Sequence, residues 1–368
     1  MKTSKTILTL YFTICAVFAL TAQTTHTVDN NPDGIGDFTE LQAAVDAASD
    51  GDIIYVQPSS TNYGNTSITK QLTLVGRSHS LANYISSIGL VTFQPGSSNS
   101  IIKGLQISNI RFGISDGTEG SISNITITEN KLNNITLGMS SIQTVDNILI
   151  RGNQLAGIDI RNTATNILIT NNIITGGFKL ICSNNPNSTL VTNNIFKITS
   201  QRPDNFFSTA TNGTLNISNS IFLTYIGGSY NIGFSGNYQI NNCLTYDYAG
   251  GTLNFAGNTS PVNVVSNTLL DTDPQFVKVD PSASEVGTSI AYRSNNDLDP
   301  YYDDVHLASG SPAIGAGSGG ADLGIYDGGF NFKPFGQPTG VPTLAIEAYS
   351  SSVPKNSTLD VTITAQAH

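Results

Sequence analysis

From Leu105 to Thr245 the chain repeats one arrangement of apolar and polar positions. Seven aliphatic anchors, Ile107, Ile127, Ile150, Ile169, Val191, Ile217 and Ile240, follow one another at 20, 23, 19, 22, 26 and 23 residues. Two positions before each stands a second column: Leu105, Ile125, Ile148, Ile167, Thr189, Leu215 and Tyr238. Five positions after each stands a third: Phe112, Leu132, Leu155, Ile174, Phe196, Phe222 and Thr245. The spacing of two is that of inward residues on a short strand. A period near 22 residues predicts a solenoid, each repeat packing on its neighbours.

Between anchor and third column lie Asn130, Asn153, Asn172 and Asn194. Asparagine tolerates a left-handed backbone, so it can turn the chain between strands. Stacked at the strand spacing of ~4.8 Å, its amides can also bond to one another. A further strand-like run follows the third column, as in Gly157-Ile158-Asp159-Ile160 and Gly177-Phe178-Lys179-Leu180. Three short strands per coil predict an all-β, right-handed parallel β-helix. Residues Ile122 to Leu132 also fit a leucine-rich repeat core, but no leucine-spaced helical half accompanies them.

The flanks complete this reading. Residues 1–22, with Lys2 and Lys5 before an apolar run, have the layout of a signal peptide and predict a secreted protein. No other stretch is apolar enough to span a membrane. Residues 23–52 hold an amphipathic helix over 37–49, with Asp37 as N-cap, Glu40 completing a capping box and Gly51 ending it. Its stripe of Leu41, Ala44, Val45 and Ala48 suits a lid on the open first coil. Residues 53–277 make about ten coils, 278–336 closing coils and an acidic loop, and 337–368 a linker and a β tail.

One column breaks the alternation. Arg111, Lys131 and Gln154 are followed by Ile173, Ile195, Ile221 and Leu244, which would point outward in a stack. Soluble proteins seldom leave such a stripe bare. The expected cover is the tail 341–368 or the loop 278–300.

Composition narrows the function classes. The net charge of −10 argues against nucleic acid as the main partner. Basic residues nevertheless outnumber acidic ones between 103 and 202. Cys182 and Cys243 are about three coils apart, too far for a disulfide. Asp29 to Glu40 spells the calcium-loop pattern D-x-N-x-D-G-x5-E, which makes Ca2+ a candidate ligand, although turn and capping chemistry explain the same residues.

The stretch GDFTELQAAVDAASDGDIIYVQPS with the later ITKQLTLVG resembles the N-terminal cap and first coil of secreted pectin-lyase-like β-helix proteins. The ending DPQFV…DDVHLASGSPAIGAGSGGADLGIYDGG is similar to the last coils of bacterial surface proteins of that type. The resemblance implies the fold and a polysaccharide partner. It does not choose among lyase, hydrolase, esterase and adhesin.

Asp159, Arg161 and Lys179 are the candidate catalytic set. With Ile158 and Ile160 inward they face outward, Asp159 beside Lys179. A uronate lyase needs a base for the proton next to the carboxylate and a cation to hold it. Lys179 or Arg161 fits either role, and Asp159 would tune the lysine or bind a bridging metal. The simpler alternative is a surface ion pair. Arg202 and Tyr225 are candidate carbohydrate contacts, with Tyr230, Tyr246 and Tyr248 as further stacking faces. His26, His79 and His306 stand apart, so no histidine triad or zinc spacing appears. The reading is a secreted or cell-surface solenoid that interacts with polysaccharide, with a lyase on an anionic glycan as its enzymatic form and a non-catalytic adhesin or structural solenoid as the alternative.

Overall fold

The computed structural model describes residues 23–114, 119–139, 143–161, 164–175, 180–182, 189–198, 207–209, 214–224, 227–235, 237–255, 264–278, 303–338, 340, 343–349, 358 and 361–366. They form a parallel β-solenoid. One sheet stacks 11 parallel strands, from Thr25–Val28 to Val264–Ser266, and a second sheet holds 12. In the first, Ile54, Leu74, Ile102, Ile127, Ile150, Ile169, Val191, Ile217 and Ile240 follow in register. In the second, Ile107, Leu132, Leu155, Ile174, Phe196 and Phe222 do the same. All of them are buried in one continuous core. Identical spacing in each repeat lays like on like, and the Phe196 and Phe222 rings stack with centroids 4.8 Å apart.

The first predicted repeat is out of phase by five residues. Ile107 pairs with Leu132 in the second sheet, and Ile102 is the partner of Ile127. The turn here is Gly104-Leu105 and carries no asparagine. Gly104 nevertheless adopts φ 71°, and the Leu105 N–H donates to Asn130 Oδ1 at 3.1 Å. Leu105 therefore stands at the corner and not in an inward strand column.

The asparagine ladder is present. Asn130 Nδ2 donates to Asn153 Oδ1 at 3.2 Å, Asn153 Nδ2 to Asn172 Oδ1 at 3.0 Å, and Asn172 Nδ2 to Asn194 Oδ1 at 3.1 Å. Each Oδ1 also receives the backbone N–H of the preceding coil. These four residues do not themselves take the left-handed conformation. The residue before each does: Glu129, Gly152, Asn171 and Asn193, continued by Asn219 and Asn242. The backbone is bent by one column and the buried polar groups are satisfied by the next. A second, exposed corner bends at left-handed Asn99, Asn124, Asn147 and Asn166. There Asn124 Nδ2 donates to Asn99 Oδ1 at 2.9 Å and Asn147 Nδ2 to Asn124 Oδ1 at 2.6 Å. This bend divides each long strand of the first sheet. In the middle coils the second and third predicted strands are one continuous strand, as in Gln154–Ile160.

The N-terminal helix is shorter than predicted, Leu41–Ala47. Leu41, Ala44 and Val45 are buried in the core of the first coils. Glu40 is the N-cap and makes no side-chain capping bond. The expected capping box is absent because Asp37 is engaged elsewhere: its Oδ2 accepts the Thr27 N–H at 2.8 Å and the Thr27 hydroxyl at 2.9 Å. The C-terminal end is held by Lys70, whose Nζ donates to the carbonyls of Asp46 and Ala48, both at 2.7 Å. A cation there complements the helix dipole.

Of the segment expected to add closing coils, the described residues 303–336 lie along the side of the solenoid. Asp304–Leu307 pairs antiparallel with Phe276–Lys278. The chain then runs back toward the N-terminal end as a strap across the outer side of the corner. Asn242 Nδ2 donates to Ala316 O at 3.0 Å, and Asn219 Oδ1 accepts the Ser318 N–H at 2.9 Å. Gly324 N–H donates to Asn219 O at 2.9 Å, and Asn171 Nδ2 to Ile325 O at 2.9 Å. Phe330 lies under the Arg151 guanidinium, 4.6 Å from carbon to centroid. Gln154 Nε2 reaches Pro334 O at 3.2 Å.

The strap is the cover that the apolar stripe required. Ile173, Ile195, Ile221 and Leu244 form a second core with Val305, Ala313, Leu323, Ile325 and Phe332. The tail supplies none of those residues, and the loop 278–300 lies, beyond Lys278, outside the described residues. The tail forms its own hairpin, Thr343–Tyr349 with Val361–Gln366. Gly324 is required where the strap crosses: with φ 91°, a Cβ there would also meet Ile221 Cδ1 at 3.0 Å.

Candidate functional site

The strand pleat sends Ile158 and Ile160 inward and leaves Asp159 and Arg161 on the outer face. The Arg161 Nε–H donates to Asp159 Oδ2 at 2.5 Å, and its Nη2 contacts the same oxygen. The Asp159 side chain is 20% exposed and that of Arg161 47%. Register fixes their neighbours. Asp159 lies between Thr136 on one strand and Ile181 on the other, so Ile181 takes the place expected for Lys179. The observed pairing, Asp159 with Ile181 and Ile160 with Cys182, is shifted by two residues from the expected one. Lys179 lies outside the described residues, as do Arg202 and Tyr225.

The same face carries Arg111, which stands beside Thr136 and thus ~10 Å from Asp159 at two strand spacings. Its Nε–H donates to Thr92 Oγ1 at 3.0 Å. Arg111 and Lys131 do not share a column, a consequence of the five-residue phase error in the first repeat. Between the two arginines runs a groove of about 500 Å3, with Asn109 and Asn134 on one side, Thr136 and Asp159 on the other, and Leu90 and Met139 as apolar contacts. Asn134 pairs in register with Asn109 and Gly157. Gly157 has no side chain, which lowers the wall at the Arg161 end. The arrangement offers two guanidinium groups and a row of amide and hydroxyl groups over an apolar patch.

Compared with known protein families and with curated proteins, the chain matches none. The geometry therefore carries the functional argument.

The other predicted residues are placed elsewhere. Tyr246 and Tyr248 meet edge to face, centroids 4.8 Å apart, and pack against the apolar cluster beneath the strap. Burial raises the pKa of both hydroxyls, most strongly that of Tyr248, and Asp273 adds to the effect. Tyr230 packs on the main core. These rings are partly buried and pack against the fold. In the calcium-like loop, Asp29 Oδ1 accepts from Asn31 Nδ2 at 2.6 Å and Asp37 turns to Thr27. Among the described residues no group of three His, Cys, Asp or Glu side chains converges on a common point.

Among the described residues the histidines, isolated in sequence, each have a partner. His26 Nε2 lies 3.2 Å from Asp52 Oδ2, and His306 Nδ1 lies 2.5 Å from Asp304 Oδ1 while its ring stacks on Tyr326. His79 is buried below the strap. None of the three pairings was read from the sequence; the Asp304-x-His306 spacing, which puts both side chains on one face of a strand, is the one local signal for them.

Proposed function

We propose that this protein is a secreted or cell-surface β-solenoid, of the pectin-lyase-like type, that binds an anionic polysaccharide in the groove between Arg111 and Arg161. The observation that carries the reading is the pairing of two guanidinium groups with stacked asparagine and threonine side chains along one open groove. Guanidinium groups suit carboxylate or sulfate, and amide and hydroxyl rows suit sugar hydroxyls. Export rests on the signal-like residues 1–22. Binding is better supported than cleavage, because Arg161 is held by Asp159 and an ion-paired guanidinium is a poor base. The lyase form would assign the base to Lys179.

The test is titration of the full chain with acidic and neutral polysaccharides, with ultraviolet detection of unsaturated uronate products. Binding of an acidic glycan should weaken about tenfold in Arg111→Ala, equivalent to ~1.4 kcal/mol. Equal binding of neutral and acidic glycans, or an unaffected Arg111→Ala, would refute the assignment. Product that disappears in Lys179→Ala would establish the lyase form.

A further inference from the structure

The strap ends on a histidine. Phe335 O accepts the His79 N–H at 3.2 Å and the Ser78 hydroxyl at 2.5 Å. Gly336 sits on the edge of the imidazole so closely that a Cβ at this position would collide with His79 Cδ2. Gly336 also has φ 60° and donates its N–H to Lys333 O at 2.9 Å, which makes the tight turn that presses it down. The ring beneath is 1% exposed. Its Nδ1 is 2.7 Å from Ser80 Oγ, whereas Nε2 is buried without a hydrogen-bond partner.

The charged groups around this ring come from three directions. Lys131 lies on the strand below and disfavours a second positive charge. Glu129 is buried at the corner, with its carbonyl oxygen 2.7 Å from the Gly336 Cβ position. On the ring's own segment Arg77 is turned away over Tyr84, and on the strap Lys333 supplies its carbonyl to the Gly336 turn.

We propose that residues 333–338 are an acid-sensitive latch, closed on neutral His79 and released when that ring takes a proton. A second ring proton would create a buried cation next to Lys131 and leave the Nε2 N–H without an acceptor. Release lets water reach the ring and removes both penalties. Burial, followed by the charge of Lys131, lowers the His79 pKa to about 3 with the latch closed. An open ring would titrate near the ordinary ~6.5. A histidine depressed in the closed form favours closure in full above ~6.5 and loses that preference progressively as the pH falls toward the closed value. Between pH 7.5 and pH 5 the closed-to-open ratio falls about 30-fold.

Hydrogen exchange at the His79 and Gly336 amides of the full chain, corrected for intrinsic rates, reads this ratio directly. Protection should drop about 30-fold from pH 7.5 to pH 5, while the strap amide of Gly324 keeps its protection. His79→Gln should abolish the pH dependence, although it retains Glu129 and Lys131. Gly336→Ala should expose the same amides at both pH values. Unchanged wild-type protection, or a drop that persists in His79→Gln, overturns the proposal. The His79 ring signal in the unmodified chain is an independent reading: an ordinary titration near 6.5 while both amides stay protected overturns it as well.

Discussion

One outward column of the second sheet divides the solenoid into two halves. In register it reads Gln106, Lys131 and Gln154, then Ile173, Ile195, Ile221 and Leu244. Backbone, pleat and inward neighbours are equivalent on both sides of the change. Where the column is apolar, the strap packs its own Leu323, Ile325 and Phe332 on it. Where it is polar, the strap touches by hydrogen bonds such as Gln154 to Pro334 O, and the face beyond remains open as the groove. The outer face of a coil is thus free to differ once the inner columns have set the stack. The same outward column can carry a second core in one half and an open groove in the other.

The contrast breaks most severely at the covered half. Ile221→Asp would bury a carboxylate between the solenoid and the strap, and should cost ~4 kcal/mol or more in denaturant unfolding. The matching change in the open half, Gln106→Asp, should cost under ~1 kcal/mol, because its side chain is only partly buried. Equal costs would mean that the two halves do not differ in the way the column suggests.

The two asparagine ladders give the next sharpest comparison. Asn153 is buried and bonds to Ile127 O, Arg151 O and Asn172 Oδ1 while accepting from the coil before it. Asn153→Ala leaves several buried groups without partners and should cost ~3 kcal/mol by thermal or denaturant melting. Asn124→Ala at the exposed ladder replaces a bond that water can replace. Its cost should stay near ~1 kcal/mol, much of it from the left-handed backbone at φ 58°.

A smaller effect concerns acid. Asp52 joins the first coils by accepting the N–H groups of Thr24 and Ser49, both at 2.8 Å, beside His26. Burial acts to raise its pKa, but those bonds and His26 together hold it below the usual range. A depressed carboxylate contributes stability above its unfolded value of ~3.9 and loses it as pH falls through the folded one. Asp52→Asn should therefore flatten the decline in melting temperature below about pH 4 relative to the wild type.

How far the residues alone could reach is clear from particular cases. The inner columns were legible because burial is unforgiving: Ile127, Ile150 and Ile169 must be apolar in every coil. Ile107 was misplaced because a glycine corner, Gly104-Leu105, carries none of the asparagine signal. The Asn124 and Asn147 ladder went unread because its residues are exposed and precede strands rich in other polar residues. The stripe announced that it needed a cover, yet the cover itself has no periodicity. Its contacts are set residue by residue through Gly324, Asn171 and Phe330, over sequence separations that no local pattern records. In the groove, Asp159 and Arg161 were legible from alternation. Arg111 was not, because its neighbours depend on the register of the mis-phased first repeat.

The account rests most on the strap lying over the apolar half. Residue-resolved hydrogen exchange of the full chain at neutral pH tests that placement directly, at the amides of Ser318 and Gly324, whose bonds run to Asn219. Docking predicts that both exchange at least a hundredfold more slowly than an unstructured chain, equivalent to ~2.7 kcal/mol. Exchange at the unstructured rate, with Ile217 and Ile240 still protected in the core, would contradict it.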